Sequence, residues 1–234
     1  MRGLRLPKPR VIAPRDALPG LLSAKLLGVP SPTDFATRLA LALADLRAGK
    51  PVLVADHKDR EGEVDVVLAA DRASEKWLGW MVRHTSGFIC APMSAQRADA
   101  LGLPLMVTNN RDPFRTQYTV SADAAQGVTT GISAADRAAT LRVLAHPDST
   151  PSDLIRPGHV LPLRGHPGGV AQRPGHTEAA IELVKLAKAG EVGAIAELVH
   201  DDGRMLTFSE SQQLARETGL QYLTIAELTT HLEA

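Results

Sequence analysis

R-P-G-H-T-E-A-A-I-E-L-V-K-L-A, residues 173 to 187, is the stretch on which the reading of this chain turns. Pro174 and Gly175 forbid helix, Thr177 and Glu178 stand where a helix wants a cap and a first-turn acid, and Ala180, Ile181, Val184 and Ala187 then recur at helical spacing. The pattern predicts an amphipathic helix with Arg173 and His176 at its mouth. Unpaired backbone N–H groups and the positive end of the helix dipole make such a mouth a seat for a phosphate. An imidazole beside it can ligate a metal or move a proton. An ordinary capping turn would use the same residues, so the surrounding chain must decide between the two.

Downstream, V-G-A-I-A-E-L-V-H-D-D-G (residues 192 to 203) reads as an apolar strand interrupted by Glu197. An acid in a buried strand is costly unless it is paired or used. Upstream, P-G-H-V-L-P-L-R (residues 157 to 164) sets His159 between a Pro-Gly turn and an apolar strand. Before that, Ser133 is expected to cap a helix following the Gly127 and Gly131 turn, and residues 117 to 122 to form a strand. Ser86 and Gly87 mark a turn into a buried strand at residues 88 to 91, in which Cys90 is a packing residue.

The first third follows the same logic. Phe35, Leu39, Leu43 and Leu46 share a helical face closed by Gly49, and P-V-L-V-A after it reads as a strand covered on both faces. The most charged stretch of the protein, A-D-H-K-D-R-E-G-E-V-D (residues 55 to 65), leaves that strand and returns to apolar V-V-L-A-A. Asp56, Glu61, Glu63 and Asp65 offer oxygen ligands to a hard cation, and Arg60 can hold a phosphate or carboxylate. A merely solvated loop is the alternative.

Composition bounds the class. The 234 residues are 44% hydrophobic and 22% charged, as a globular chain should be. Lys plus Arg and Asp plus Glu each number 26, so no bulk field points to nucleic acid or a membrane surface. The single cysteine excludes an internal disulfide framework and suits a reducing compartment, and no apolar run is long enough to predict a transmembrane helix. Cytoplasmic residence is the expectation. Spaced prolines make residues 1 to 30 an extension, and without a linker further on, residues 31 to 234 read as one domain.

Taken together, the ordered motifs D-R-E-G-E-V-D, R-H-T-S-G-F-I-C, Y-T-V-S-A-D, G-V-T-T-G-I-S-A-A-D-R-A, R-P-G-H-V-L-P-L-R, R-P-G-H-T-E-A-A and A-E-L-V-H-D-D-G resemble those of 3,4-dihydroxy-2-butanone 4-phosphate synthases. The resemblance implies an α/β domain of the α+β type, a mixed β-sheet covered by helices, working as a homodimer with Mg²⁺ or Mn²⁺. It implies a lyase that turns D-ribulose 5-phosphate into L-3,4-dihydroxy-2-butanone 4-phosphate and formate in riboflavin biosynthesis, here in its monofunctional form. Carried onto this chain, Glu61 and His176 become metal ligands. Arg60, Glu61, Asp65, Arg173, Pro174, Gly175, His176, Thr177 and Glu197 become the sugar-phosphate contacts, and His159, Glu197, Asp65 and Glu63 the catalytic groups. A non-catalytic sugar-phosphate-binding relative and a lyase for another phosphorylated ketose are the competing readings.

The acidic loop departs from the family pattern Asp-Asp-Glu-Asp-Arg-Glu-Asn-Glu-Gly-Asp. His57 and Lys58 replace two acids, and Gly62, Glu63 and Val64 replace Asn-Glu-Gly. If the family glycine needs positive φ, Val64 cannot supply it cheaply, so altered loop closure, weaker metal affinity or slower turnover is expected.

Overall fold

The computed structural model describes residues 34 to 233, so the expected extension at residues 1 to 30 lies outside the described residues. In chain order the elements are α1 (Phe35–Arg47), β1 (Val52–Ala55), β2 (Val64–Ala69), α2 (Glu75–His84), β3 (Cys90–Met93), α3 (Ala95–Ala100), β4 (Gln117–Tyr118) and β5 (Ala122–Ala124). There follow α4 (Ala134–Ala145), β6 (Leu154–Arg164), α5 (Gly169–Gln172), α6 (His176–Leu186), β7 (Gly193–Glu197), α7 (Phe208–Thr218), β8 (Tyr222–Thr224) and α8 (Ile225–Glu233). The strands form one eight-stranded sheet in the order β4-β6-β3-β7-β2-β1-β8, with β5 also on β6. Parallel pairs, β1 with β8 and β3 with β6, sit among antiparallel ones. This is the mixed sheet expected, and helices cover both faces.

The period-two alternation of the strands builds two cores. Val52 and Val54 of β1 pack with Val67, Leu163, Leu183 and Val184 beneath α1 and α6, whereas Leu53 and Ala55 join Val66, Leu78 and Leu141 beneath α2 and α4. β1 is therefore apolar throughout because both its sides are covered. Each such Leu or Val, fully buried, contributes roughly 1.5–3 kcal/mol. The N-caps are those the sequence signals: Asp34 accepts from Ala36 and Thr37 N–H, and Ser133 from Asp136 N–H. No helix of the described residues is long and apolar enough to cross a membrane.

Several local expectations are corrected. The N-cap of α6 is Gly175, with no side-chain cap bond, and Thr177 lies within the first turn. Pro157 and Gly158 form no turn before a strand; they lie inside the eleven-residue β6, opposite an irregularity between Ala122 and Asp123 of β5. Glu197 ends β7 instead of interrupting it. The strand predicted at residues 88 to 91 begins at Cys90 and leaves Phe88 exposed. That expected at 117 to 122 is split into β4 and β5, and α3 goes unforeseen because its six residues show less than two turns of periodicity.

Candidate active site

The charged loop is a hairpin between β1 and β2, and a single carboxylate shapes it. Asp56, buried at its start, accepts the N–H of Glu61 at 3.0 Å and of Glu63 at 2.9 Å, as well as Arg60 Nη1 at 3.2 Å. The chain can turn there because Gly62 takes φ +72°. Val64 needs no such freedom, since it already belongs to β2, and the strain anticipated at that position does not arise. The loop thus presents Arg60, Glu61 and Glu63 towards the α6 face of the sheet, where Asp65 follows on β2.

The mouth of α6 meets this loop. His176 is the first residue of the helix and is buried, its Nε2 3.1 Å from the carbonyl oxygen of Val54. A carbonyl only accepts, so Nε2 carries the hydrogen and Nδ1 is turned to the acids, 3.5 Å from Glu61 Oε2 and 3.7 Å from Asp65 Oδ1. Suitable ligand atoms of Asp56, Glu61 and His176 lie within 4.8 Å of one another. Asp65 Oδ1 is buried and has no hydrogen-bond partner. Hard oxygen donors, one available imidazole nitrogen and an orphaned buried acceptor suit a divalent cation of the magnesium or manganese kind.

Beside the acids stand two guanidinium groups. Arg173 is fixed by all three of its nitrogens: Nη1 to Glu178 at 2.6 Å, Nη2 to Thr116 Oγ1 at 3.0 Å and Nε to the Phe114 carbonyl at 3.2 Å. Arg60 lies 4.9 Å from the centre of the Phe114 ring and also pairs with Glu61. Both converge on Gly175, where a Cβ would come within 2.6 Å of Arg173 Nη1 and 3.0 Å of Arg60 Nη2. A side chain there would push these groups aside. Two cations beside an α6 N-terminus without a side-chain cap have the charge and the donors that suit a phosphate dianion.

The electrostatics show how crowded the acids are. Burial drives Asp65 up to about 8, with Glu197 and Glu63 adding to the shift, although His176 opposes it. Burial also raises Glu63 to about 7, assisted by Glu61 and Glu197. Burial alone would lower His176, but Asp65 and Glu61 outweigh it and hold the imidazole at about 9. For Glu61 burial pulls upward, and His176 with Arg60 prevails in lowering it. In the absence of a cation, protons compensate the cluster.

The cleft between these groups, about 60 Å³, is lined by Arg60, Glu61, Glu63, Asp65, Arg173, His176, Thr177 and Glu197, with Cys90, Thr116 and Tyr118 among them. A larger cavity, about 270 Å³, lies on the other side of Glu178, around His166, Glu182 and Lys185, and holds none of the expected site residues. The acids, His176 and both guanidinium groups line the smaller cleft. Of the groups singled out in the sequence, Pro174 and Gly175 join Arg173 to His176, Gly175 as the N-cap of α6, and do not themselves line the cleft. His159 stands apart from it, on β6, with Nδ1 2.7 Å from Asp123 Oδ2. Sequence reasoning missed Thr116, Phe114, Asp123 and Ser86, whose hydroxyl bonds Glu197. Each acts on a partner distant in the chain; Ser86 and Asp123 fall within quoted motifs, but nothing local names their partners.

The model of the 3,4-dihydroxy-2-butanone 4-phosphate synthase family matches residues 40–231. The chain belongs to this family. Among its relatives, riboflavin biosynthesis protein RibBA of Salinispora arenicola (strain CNS-205) is 49% identical over 199 residues, covering 85% of this chain and 47% of that protein. RibBA of Mycobacterium tuberculosis (strain ATCC 25177 / H37Ra) is 49% identical over 189 residues, covering 80% and 44%. The chain therefore spans about half the length of the curated relatives it matches. A crystal structure of 3,4-dihydroxy-2-butanone 4-phosphate synthase in complex with two magnesium ions superimposes with TM-score 0.81 at 43% identity, covering 83% of this chain and 96% of that one. The Candida albicans synthase superimposes with TM-score 0.77 at 42% identity, with the same coverage. The family fold is thus the mixed sheet described above.

Proposed function

We propose that this chain is a lyase that converts D-ribulose 5-phosphate to L-3,4-dihydroxy-2-butanone 4-phosphate and formate, a step of riboflavin biosynthesis. The observation that carries the reading is the meeting, in one cleft of a synthase-family fold, of the Arg60–Arg173 pair with the acids around His176. The substrate's atoms account for both products, so no external oxidant or reductant is required.

Arg60, Arg173, Thr177 and the free N–H groups at the start of α6 hold the phosphate and fix the sugar's direction in the cleft. Glu61 and His176 would hold Mg²⁺ or Mn²⁺. When bound, the cation would stabilise the negative charge that develops on neighbouring substrate oxygens as a proton leaves the carbon beside the carbonyl. Glu63 and Asp65, at about 7 and about 8, can both accept and return protons near neutral pH, as enolisation and dehydration require. Glu197, anchored by Ser86, serves the later rearrangement from the opposite strand.

His159 serves the same reaction from a second copy of the chain. Ile132, Ile155 and Phe88 are 52%, 53% and 44% exposed, apolar area that a homodimer would cover, and the proposed dimer presents His159 to the partner cleft. The buried free thiol of Cys90 suits a cytoplasmic setting. Residues 31 to 234 act as the catalytic domain and residues 1 to 30 as an appendage to it. Incubating the purified protein with ribulose 5-phosphate and Mg²⁺ should release formate. Tight phosphate-sugar binding without formate would overturn the lyase reading.

A further inference from the structure

We infer that Asp123 is the positioning residue for His159, fixing its ring so that Nε2 faces outward as the proton-accepting nitrogen. The inference rests on the reading in which His159 serves the reaction. Asp123 Oδ1 accepts the main-chain N–H of His159 at 2.9 Å, and Oδ2 lies 2.7 Å from the Nδ1 of the same residue. One carboxylate thereby grips both the backbone and the ring. A carboxylate accepts, so Nδ1 carries the hydrogen of the neutral imidazole and the lone pair is left on Nε2. The Asp123 side chain is 11% exposed and that of His159 41%, so the carboxylate is sheltered while the ring reaches solvent.

The surrounding backbone is shaped around this pair. Asp123 pairs with Ile155 and its neighbour Ala122 with Val160, so one step along β5 spans five along β6 and releases the segment carrying His159 from the regular ladder. Gly158 fits against β5 only without a Cβ, which would come within 2.1 Å of the Ala122 carbonyl carbon. Gly131, at φ +90°, passes so close that a Cβ would lie 2.1 Å from Asp123 Oδ2 and 2.6 Å from His159 Nδ1. Gly131 thus gives way to the carboxylate–imidazole contact itself, and Gly158 to the β5 backbone beside it. A merely structural histidine would need neither an outward ring nor a sheltered partner on Nδ1.

The test compares Asp123→Asn, His159→Gln and the unaltered protein, using formate release and the ¹⁵N spectrum of the histidines, with His159 assigned from the spectrum of His159→Gln. Asp123→Asn preserves size but can donate to Nδ1, which favours the opposite tautomer. The expected result is a fall in kcat of about a hundredfold or more with KM for ribulose 5-phosphate nearly unchanged. The unaltered protein should show neutral His159 protonated on Nδ1, a reading that does not depend on any variant folding. Loss of activity in His159→Gln with normal kcat in Asp123→Asn overturns the positioning role alone. Near-normal turnover in His159→Gln overturns it together with the catalytic use of His159. A neutral ring protonated on Nε2 in the unaltered protein also overturns the inference.

Discussion

Asp65 and Glu197 are direct partners across the antiparallel β2–β7 pair, so two carboxylates of the cleft occupy one level of the sheet on neighbouring strands. Ionised together they would repel and oppose folding; burial, with Glu197 adding to it, keeps a proton on Asp65 to about 8, and one of its buried oxygens is unsatisfied besides. The site therefore costs stability, in keeping with the general opposition between activity and stability at functional positions.

Replacing Asp65 by Asn should stabilise the metal-free protein and lower kcat by about a hundredfold or more. The folded carboxyl, at about 8, lies above its ordinary 3.8, so the native state holds a proton that the unfolded chain has released. Between those two values stability falls as pH rises. The Tm advantage of Asp65→Asn should accordingly be larger at pH about 8.5 than at pH about 6. Scanning calorimetry at both pH values checks this; equal Tm gains would show that Asp65 does not titrate as described.

Cation binding should release protons and tighten as pH rises. His176, held at about 9, must give up its Nδ1 proton before that nitrogen can act as a ligand. The proton-linked stability of the metal-free form is present below the ordinary 6.5 and is lost as pH rises through about 9. Mg²⁺ should therefore raise Tm most at the alkaline end. Calorimetric titration in two buffers of different ionisation enthalpy counts the protons; identical apparent enthalpies would mean that none is released.

Glu178→Gln should act mainly on substrate binding. The buried carboxylate aligns Arg173 and accepts the His166 N–H at 2.9 Å. Losing a charge-assisted bond of about 1.5–3 kcal/mol should raise KM for ribulose 5-phosphate at least about tenfold, with a smaller change in kcat. Steady-state kinetics separate the two effects, and a selective loss of kcat would contradict the assignment of Arg173 to the phosphate.

Restoring a family-like glycine at Val64 should harm this chain. Val64 is fully buried in β2, so Val64→Gly removes a packed side chain at a cost of about 2 kcal/mol or more, with no gain in turnover. Urea unfolding gives the stability, and faster formate release would show that the loop does need its freedom there.

Mixing His159→Ala with Glu197→Ala should regain activity that neither has alone. If His159 serves the partner's cleft, each mixed dimer owns one cleft with both groups intact. Formate release that stays at the level of the separate variants after subunit exchange would place His159 elsewhere.

The elements legible in the sequence were those with enough length to show a period and a residue to stop it. The face of α1 closed at Gly49, the uninterrupted apolar β1 and the Ser133 cap of α4 are of this kind. Thr177 misled because its residue type suits a cap, yet the extended backbone before the helix belongs to Gly175. Gly158 misled because Pro-Gly usually turns, whereas here it answers the irregularity in β5. In the site, the acids and His176 were legible because they stand in dense local motifs. Thr116, Asp123 and Ser86 were not: they meet Arg173, His159 and Glu197 across 57, 36 and 111 residues, distances that only the folded sheet closes.

The hub-like position of Asp56 has a consequence for how the hairpin tolerates change. The substituted His57 and Lys58, together with Asp59, all face solvent, while the three donors that define the bend point inward to one carboxylate. Outer residues can therefore drift in charge without redrawing the cleft, much as cladding can be replaced on a frame bolted at a single joint. Asp56 itself has no such latitude, because losing it would leave the bend without its common anchor.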